Sequence, residues 1–170
     1  MHGIDDQLRE LLPRLRRFAQ SLTRNPSSAD DLVQASLEKA LSAWAGKRPD
    51  GDLRAWLFAI VYHQFLDAQR SASRYRRLLE VFSGGQDEHY QPSAERTVVA
   101  QTTLAAFERL PHEQRAIVFW VTVEGLQYQE VADILGVPIG TVMSRLSRAR
   151  QALRQLSDGE ITTPSLRVLK

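Results

Sequence analysis

A stretch near the end of the chain, residues 137–156, combines arginines and hydroxyl side chains with no acidic residue. Its arginines are Arg145, Arg148, Arg150 and Arg154, and its hydroxyl-bearing residues include Thr141 and Ser144. Hydroxyl groups donate hydrogen bonds to phosphate oxygens, and guanidinium groups pair with phosphates or with the edges of guanine. This composition indicates that the stretch binds a polyanion, and nucleic acid is the first candidate.

The residues around these side chains have the spacing of a helix-turn-helix motif. Val131, Ile134 and Leu135 give a first helix its buried face, and Gly136 suits a left-handed turn. Small Ala132 permits a close helix crossing, and Val142 anchors a second helix that carries the arginines. A solvated helix of a bundle is the alternative. The coincidence of turn, spacing and one-sided charge favours a recognition helix.

Other kinds of chemistry find little support in the sequence. The chain has no cysteine, and its histidines, His2, His63, His89 and His112, are scattered without metal-ligand spacing. We also find no glycine-rich phosphate loop and no serine-centred nucleophile elbow. We therefore predict that the protein is not an enzyme and uses no cofactor, metal ion or small-molecule substrate.

The first half of the chain predicts three helices that form a domain. Apolar residues recur at three- and four-residue steps across residues 8–22, which indicates an amphipathic helix. An Asn-Pro turn then opens a second helix, in which Asp30 and Asp31 are expected in the first turn. Asp52 is expected to cap a third helix. This helix is apolar on two sides, so we predict that it is central to its domain.

The predicted fold is all-α, with two small helical domains joined by a flexible linker and the helix-turn-helix in the second domain. The apolar segment 112–124 would suit a short strand as well, but its length and surroundings favour a helix. A helix from about Ser93 to Arg109 is expected to open the second domain. The predicted divisions are a first domain at 1–77, a linker at 78–92, a second domain at 93–156 and a tail at 157–170.

Composition places the chain among globular proteins that fold around buried cores. It is 43% hydrophobic and carries a formal net charge of +2, so its total charge says little about a partner. The longest apolar run, residues 55–62, is far shorter than the ~20 residues that span a bilayer. We predict a cytoplasmic protein without membrane insertion.

Several motifs, in order, resemble those of bacterial extracytoplasmic-function (ECF) sigma factors. Residues 138–150, preceded by 110–115, look like the family's second DNA-binding domain, which reads the minus-thirty-five promoter element. Residues 29–34 resemble the stretch that binds the clamp helices of the β′ subunit of RNA polymerase. Residues 53–60 resemble the helix behind the loop that reads the minus-ten element. The resemblance covers about residues 5–156 and implies an all-helical sigma factor.

The resemblance implies a role for each matching residue. Polymerase docking would involve Asp31, Val33, Gln34 and Leu37, although Val33 and Leu37 are equally well explained as ordinary core. Minus-ten recognition would involve Trp44, Lys47, Arg48, His63, Arg70, Arg74, Arg76 and Arg77. Minus-thirty-five recognition would involve Thr141, Met143, Ser144, Arg145 and Arg148.

Within the minus-ten set, Trp44 and the loop with Lys47 and Arg48 would capture a base flipped out of the duplex, since aromatic and cationic groups hold an extruded base. Trp44 as a helix-end core residue is the alternative. Two positions depart from the family's usual pattern. His63 stands where the family often has asparagine, and a structural role is the alternative for this lone histidine. Met143 stands where many members have arginine, and an apolar side chain favours a thymine methyl or shape.

The four arginines of 70–77 would contact the promoter backbone, with a solvated basic stretch as the alternative. The implied partners are core RNA polymerase, promoter DNA and an anti-sigma factor. Two rival functions are a helix-turn-helix regulator that acts without polymerase and a sigma-like mimic that titrates an anti-sigma factor. A plain regulator has no need of the first domain, and a mimic would be expected to lose the basic recognition helix.

Overall fold

The computed structural model describes residues 3–47, 51–83 and 102–161, and all regular elements in these ranges are helical. The helices are α1 (Ile4–Thr23), α2 (Pro26–Ser42), α3 (Leu53–Ser83), α4 (Thr102–Arg109), α5 (His112–Val118), α6 (Tyr128–Leu135) and α7 (Ile139–Ile161). A 3-10 turn follows α2 at Trp44–Gly46, and a π-helical turn follows α5 at Phe119–Val123. The predicted all-α fold is confirmed, and segment 112–124 is helical rather than a strand.

Local capping signals account for where α2 and α3 begin. The Asn25 side chain accepts a hydrogen bond from the Ser28 backbone N–H at 3.0 Å, and a proline stands in the first turn of α2. The Asp52 carboxylate accepts from the Arg54 backbone N–H at 2.9 Å. Because α2 starts at the proline, Asp30 and Asp31 lie beyond its first turn, and the prediction that placed them there was wrong.

The helix-turn-helix is formed by α6 and α7. Gly136 ends α6 in the left-handed region with φ of 66°, where a residue with a Cβ would be strained. The Val137 backbone N–H then donates to the Ala132 carbonyl at 3.1 Å. Val131 and Val142 are fully buried and hold the two helices together. The motif therefore has the turn and the buried face that the sequence predicted.

Helix ends differ from the sequence prediction at two places. Helix α3 continues through residues 78–83, which were expected to belong to the linker, because this stretch contains no proline or glycine to stop it. Helix α7 continues to residue 161, into the expected tail. The rest of the linker, the helix start at residue 93 and residues 162–170 lie outside the described residues. The division into domains stays a prediction.

The described helices form an N-terminal region (α1–α3) and a C-terminal region (α4–α7), which pack against each other around a shared aromatic core. The Phe18 ring centroid of α1 lies 5.2 Å from that of Phe58 in α3, 5.3 Å from Phe119 and 5.1 Å from Trp120. Tyr62 of α3 lies 5.3 Å from Trp120. All five rings are buried. The sequence predicted the two regions but did not predict that they share a core.

Among the described helices, none is long and apolar enough to cross a membrane.

Candidate nucleic-acid interface

The first turns of α7 present part of the predicted recognition set on the surface. Met143 is 50% exposed, and Ser144 and Arg148 are exposed as well. Thr141 is half-buried, and its carbonyl accepts a hydrogen bond from the Ser144 hydroxyl at 3.1 Å. Thr141, Ser144 and Arg148 follow one another at three- and four-residue steps, which puts them on one side of α7, so a nucleic-acid groove that receives this side would meet them together.

Arg145 is the one member of this set that the structure pairs with an acid. Its guanidinium contacts the Glu113 carboxylate of α5, and both side chains are about one-third exposed. A guanidinium in an ion pair has fewer free donors for a phosphate or a guanine edge. Part of the Arg145 guanidinium is therefore engaged by Glu113 in this structure.

His63, the first of the predicted minus-ten residues on α3, lies on the surface beside a core residue. His63 is exposed, and its ring lies 6.2 Å from that of Tyr62. Burial raises the pKa of Tyr62 to about 12; Glu113 also raises it and Arg145 opposes this. Tyr62 is thus a core residue that lies within electrostatic reach of the ion pair of α5 and α7.

The second half of α3 carries the basic stretch. Its four arginines, Arg70, Arg74, Arg76 and Arg77, are all exposed. Arg70 lies 3.6 Å from Asp67, but an exposed pair of this kind contributes little to stability. The stretch is therefore available to the phosphates of a nucleic acid.

Trp44 and Lys47 come together at the end of α2. The Trp44 ring packs edge-on against Trp56 of α3, with centroids 5.8 Å apart. The Lys47 ammonium lies 5.6 Å from the Trp44 centroid, within the range of a cation–π interaction. Trp44 packs against α3 and keeps part of its surface exposed. Arg48 lies outside the described residues.

The predicted docking residues of α2 divide between surface and core. Asp31 and Gln34 are exposed, and Leu37 is half-buried beside an apolar groove with Trp44. Val33 is only 4% exposed and lies in the core, so its side chain is not available to a partner in this structure. Its burial fits the core alternative.

Asp31 also lines a cleft between the two regions. The cleft has a volume of about 730 Å³, and its other wall is formed by residues 109–112 and Arg115. Of the residues that the sequence assigned to polymerase docking, Asp31 therefore lies at the border with the C-terminal region.

Two buried charged residues at this boundary were not predicted. Arg115 of α5 and Glu124, next to the π-helical turn, are 4% and 6% exposed. Burial lowers the pKa of Arg115 to about 10, with a further lowering by Arg24 and an opposing effect of Glu108, so the guanidinium stays charged at neutral pH. In the sequence the two residues only flank an apolar stretch, Arg115 directly before it and Glu124 shortly after it, which does not distinguish a buried charge from an exposed one. Among the described residues, no group of His, Asp or Glu side chains is arranged to hold a metal ion.

His112 places a titratable ring at the same boundary. Its ring centroid lies 5.5 Å from that of Phe65 and 6.5 Å from that of Tyr62, both in α3. Partial burial lowers the pKa of His112 below its usual 6.5; Arg115 lowers it further and Glu113 opposes this. The folded protein therefore favours the neutral ring.

Acidification below pH 6.5 is expected to destabilise the protein through His112. Because its pKa is lower in the folded state, the unfolded chain binds more protons as the pH falls below 6.5, and the free energy of unfolding decreases. Thermal denaturation at about pH 7.5 and about pH 5.5 measures the loss. We expect His112→Gln to reduce this pH dependence and the exposed control His63→Gln to retain it. If His112→Gln keeps the full pH dependence, His112 is not the group that causes the loss of stability in acid.

Two family models match the chain, one in each region. The model described as the Sigma2 domain of PhyR matches residues 8–62, and the model described as Sigma-70, region 4 matches residues 101–153. The first match covers α1, α2 and the start of α3, and the second includes the helix-turn-helix.

Curated relatives match nearly the whole chain. The ECF RNA polymerase sigma factor EcfG of Rhodopseudomonas palustris is 35% identical over 156 residues, which cover 91% of this chain and 84% of the relative. The ECF RNA polymerase sigma factor SigM of Mycobacterium tuberculosis is 34% identical over 158 residues, which cover 91% of this chain and 77% of the relative.

A solved structure extends the match to three dimensions. The sigma factor RpoE from Bartonella quintana, in complex with the anti-sigma factor NepR, superposes with a TM-score of 0.74 at 32% identity. The superposition covers 91% of this chain and 96% of RpoE, so it includes both helical regions.

Proposed function

The chain belongs to the ECF family of RNA polymerase sigma factors, and we propose that its two regions divide promoter recognition between the minus-ten and the minus-thirty-five elements. As a sigma factor, it directs core RNA polymerase to specific promoters and initiates transcription there. The main support for this division of promoter recognition is the helix-turn-helix of α6 and α7, in which Ser144 and Arg148 are exposed on the second helix. We assign this motif to the minus-thirty-five duplex.

The minus-ten element is assigned to the N-terminal region. Trp44 and Lys47 supply an aromatic ring and a cation close together, which is the chemistry that holds an unpaired base and its phosphate. His63 is exposed on α3 and supplies a further polar contact. The four arginines of residues 70–77 follow the backbone. Arg48 keeps its assignment from the sequence alone.

Core polymerase is assigned to the exposed face of α2. Asp31 and Gln34 offer polar groups there, and Leu37 adds a half-buried apolar contact. Val33 positions α2 from the core and is left out of the contact set. The proposed polymerase partner of this face is the pair of β′ clamp helices.

An anti-sigma factor is the third proposed partner. RpoE, which superposes over both regions, was solved in complex with an anti-sigma factor. The same arrangement of the two regions would suit a similar partner here. The protein is proposed to act in the cytoplasm, where core polymerase and the chromosome are found.

The whole-length similarity to sigma factors favours this function over the two rivals. A helix-turn-helix regulator would not need α1–α3, and a mimic would not need the basic face of α7. Both features are present in the described residues.

Removal of two arginines from α7 is expected to weaken promoter binding and to lower its salt dependence. Each lost phosphate contact reduces the slope of log K against log salt by about 0.9, because fewer counterions are released. The measurement compares Arg145→Ala plus Arg148→Ala with the unchanged protein on a promoter duplex at several salt concentrations.

The matched control removes two exposed arginines from α1, in Arg9→Ala plus Arg17→Ala. The net charge changes equally, so only the position of the charges differs. An unchanged slope in the α7 variant would contradict the recognition-helix assignment.

A further inference from the structure

Arg145 lies at the edge between the exposed side and the buried side of α7. Its neighbours four residues before and three residues after, Thr141 and Arg148, belong to the side assigned to DNA. Its neighbours three residues before and four residues after, Val142 and Ala149, are fully buried. A long arginine side chain at such an edge can reach a base edge in the groove or a phosphate beside the groove. Whatever fixes its guanidinium therefore affects which of the two it contacts.

Glu113 of α5 is the acid that holds this guanidinium. The Nη1 of Arg145 donates to the Oε1 of Glu113. The opposite edge of the guanidinium, formed by Nη2 and Nε, carries two parallel N–H donors, and this is a pattern that pairs with O6 and N7 of guanine. Glu113 therefore engages one terminal nitrogen and leaves a bidentate edge for a base.

Helix α5 keeps the Glu113 backbone in place. Glu113 lies in the first turn of this helix, and Ala116 and Ile117 of the next turn are fully buried in the core. Val142 and Ala149 of α7 belong to the same core, so the two helices that carry the ion pair are fixed relative to each other. The carboxylate therefore offers Arg145 a partner at a defined position.

Stability alone does not explain an acid at this place. Both side chains of the pair are about one-third exposed, and ion pairs with this exposure contribute little to the free energy of unfolding. A carboxylate beside the surface assigned to DNA also repels phosphates, which weakens binding to every sequence alike. Such a loss of affinity is offset where the pair improves the discrimination between sequences.

We propose that Glu113 is a positioning residue for base recognition, which holds Arg145 towards a guanine edge of the minus-thirty-five element and away from the phosphates. The proposal rests on the function proposed above, in which α7 reads this element. Without the Glu113 carboxylate, the guanidinium is free to pair with a nearby phosphate, and such a contact carries no sequence information. Base discrimination and the number of phosphate contacts therefore change in opposite directions.

Glu113→Gln tests the proposal, because glutamine keeps the length of the side chain and removes its charge. The matched control is Asp133→Asn in α6. Asp133 is exposed and accepts a hydrogen bond from the Gln129 side chain of the same helix at 2.9 Å. Both variants lose one negative charge in the C-terminal region, but only Glu113 holds Arg145. Circular dichroism checks that each variant folds.

Binding of core polymerase with each variant to a promoter duplex measures base discrimination. Each base pair of the upstream element is replaced in turn, and the change in affinity is recorded. With the unchanged protein and with Asp133→Asn, we expect one G·C pair whose replacement weakens binding roughly tenfold, which is the size of a bidentate arginine contact. With Glu113→Gln, we expect the same replacement to weaken binding less than about threefold.

Salt dependence supplies the second readout. We expect the slope of log K against log salt to be steeper by up to about 0.9 in Glu113→Gln than in Asp133→Asn, because one more phosphate contact releases one more counterion. In an Arg145→Ala background, Glu113→Gln is expected to change neither the discrimination nor the slope relative to Arg145→Ala alone, since the effect acts through Arg145. A purely structural role of Glu113 would lower the melting temperature and alter neither readout.

A G·C pair that keeps its full effect in Glu113→Gln would overturn the proposal, and so would changes that persist in the Arg145→Ala background. If the unchanged protein discriminates no base pair of the upstream element, the recognition-helix assignment fails and this proposal fails with it. The unchanged protein alone therefore distinguishes a failure of the proposed function from a failure of the role proposed for Glu113.

Discussion

Replacement of Asp31 by arginine is expected to abolish co-purification of the protein with core RNA polymerase. Asp31 is the exposed acid of the α2 surface assigned to polymerase, and the substitution reverses its charge. Loss of one partner of an interfacial charge pair costs about 2 kcal/mol or more, which is roughly 30-fold in Kd. The measurement is recovery of core polymerase on the tagged protein, with circular dichroism as a check that the variant folds.

Glu10→Arg is the matched control for this experiment. Glu10 is an exposed acid of α1, outside the proposed docking surface, and its reversal changes the net charge equally. Undiminished recovery with Asp31→Arg, or equal loss with both variants, would remove the assignment of Asp31 to polymerase docking.

Replacement of Phe18 by alanine is expected to cause the largest loss of stability. Phe18 is fully buried, and its ring contacts Phe58 in one region and Phe119 and Trp120 in the other. Truncation of a buried phenylalanine removes its transfer free energy and leaves a cavity, which together cost about 3–5 kcal/mol. Urea denaturation followed by circular dichroism measures the change in the free energy of unfolding.

Phe82→Ala is the matched control, because it truncates a phenylalanine in the same way at an exposed position. Phe82 is 85% exposed at the end of α3, so its truncation is expected to change stability by less than about 0.5 kcal/mol. A loss below about 1 kcal/mol in Phe18→Ala would show that this ring is not central to the shared core.

The parts of the fold that are determined by residues close together in the sequence, such as helix caps and turns, were predictable. Gly136 ends α6 because the turn needs a positive φ, and Asn25 and Asp52 begin helices because their side chains accept from backbone N–H groups a few residues on. These signals act over three or four positions and are visible in the sequence. The helix-turn-helix was predicted correctly for this reason.

The contact between the regions was not predictable in the same way. Arg14 and Glu124 are 110 positions apart in the chain, and nothing in their local sequence distinguishes them from the many solvated charges around them. Burial of an ion pair is decided by tertiary packing, which periodicity does not report. The shared position of Phe18 and Trp120 escaped prediction for the same reason, since each ring fits a core of its own region equally well.

The sequence predicted which positions form the candidate site. It did not predict which of their side chains are exposed and unpaired, and so able to contact a partner. The family resemblance assigned Val33 and Arg145 to partners, yet Val33 is buried and Arg145 is paired with Glu113. On an amphipathic helix, a small rotation about the helix axis separates an apolar residue in the core from one at the surface. Sequence spacing alone therefore does not distinguish the two. An ion pair between distant helices leaves no sequence signature at all.

Run-off transcription on a library of promoter-like templates shows whether this protein acts as a sigma factor. The reactions contain core polymerase, with and without the protein. We expect start sites that appear only when the protein is present, on templates that share an upstream and a downstream element at fixed spacing. If transcripts start at the same positions with and without the protein, the protein is not a sigma factor that directs core polymerase to promoters.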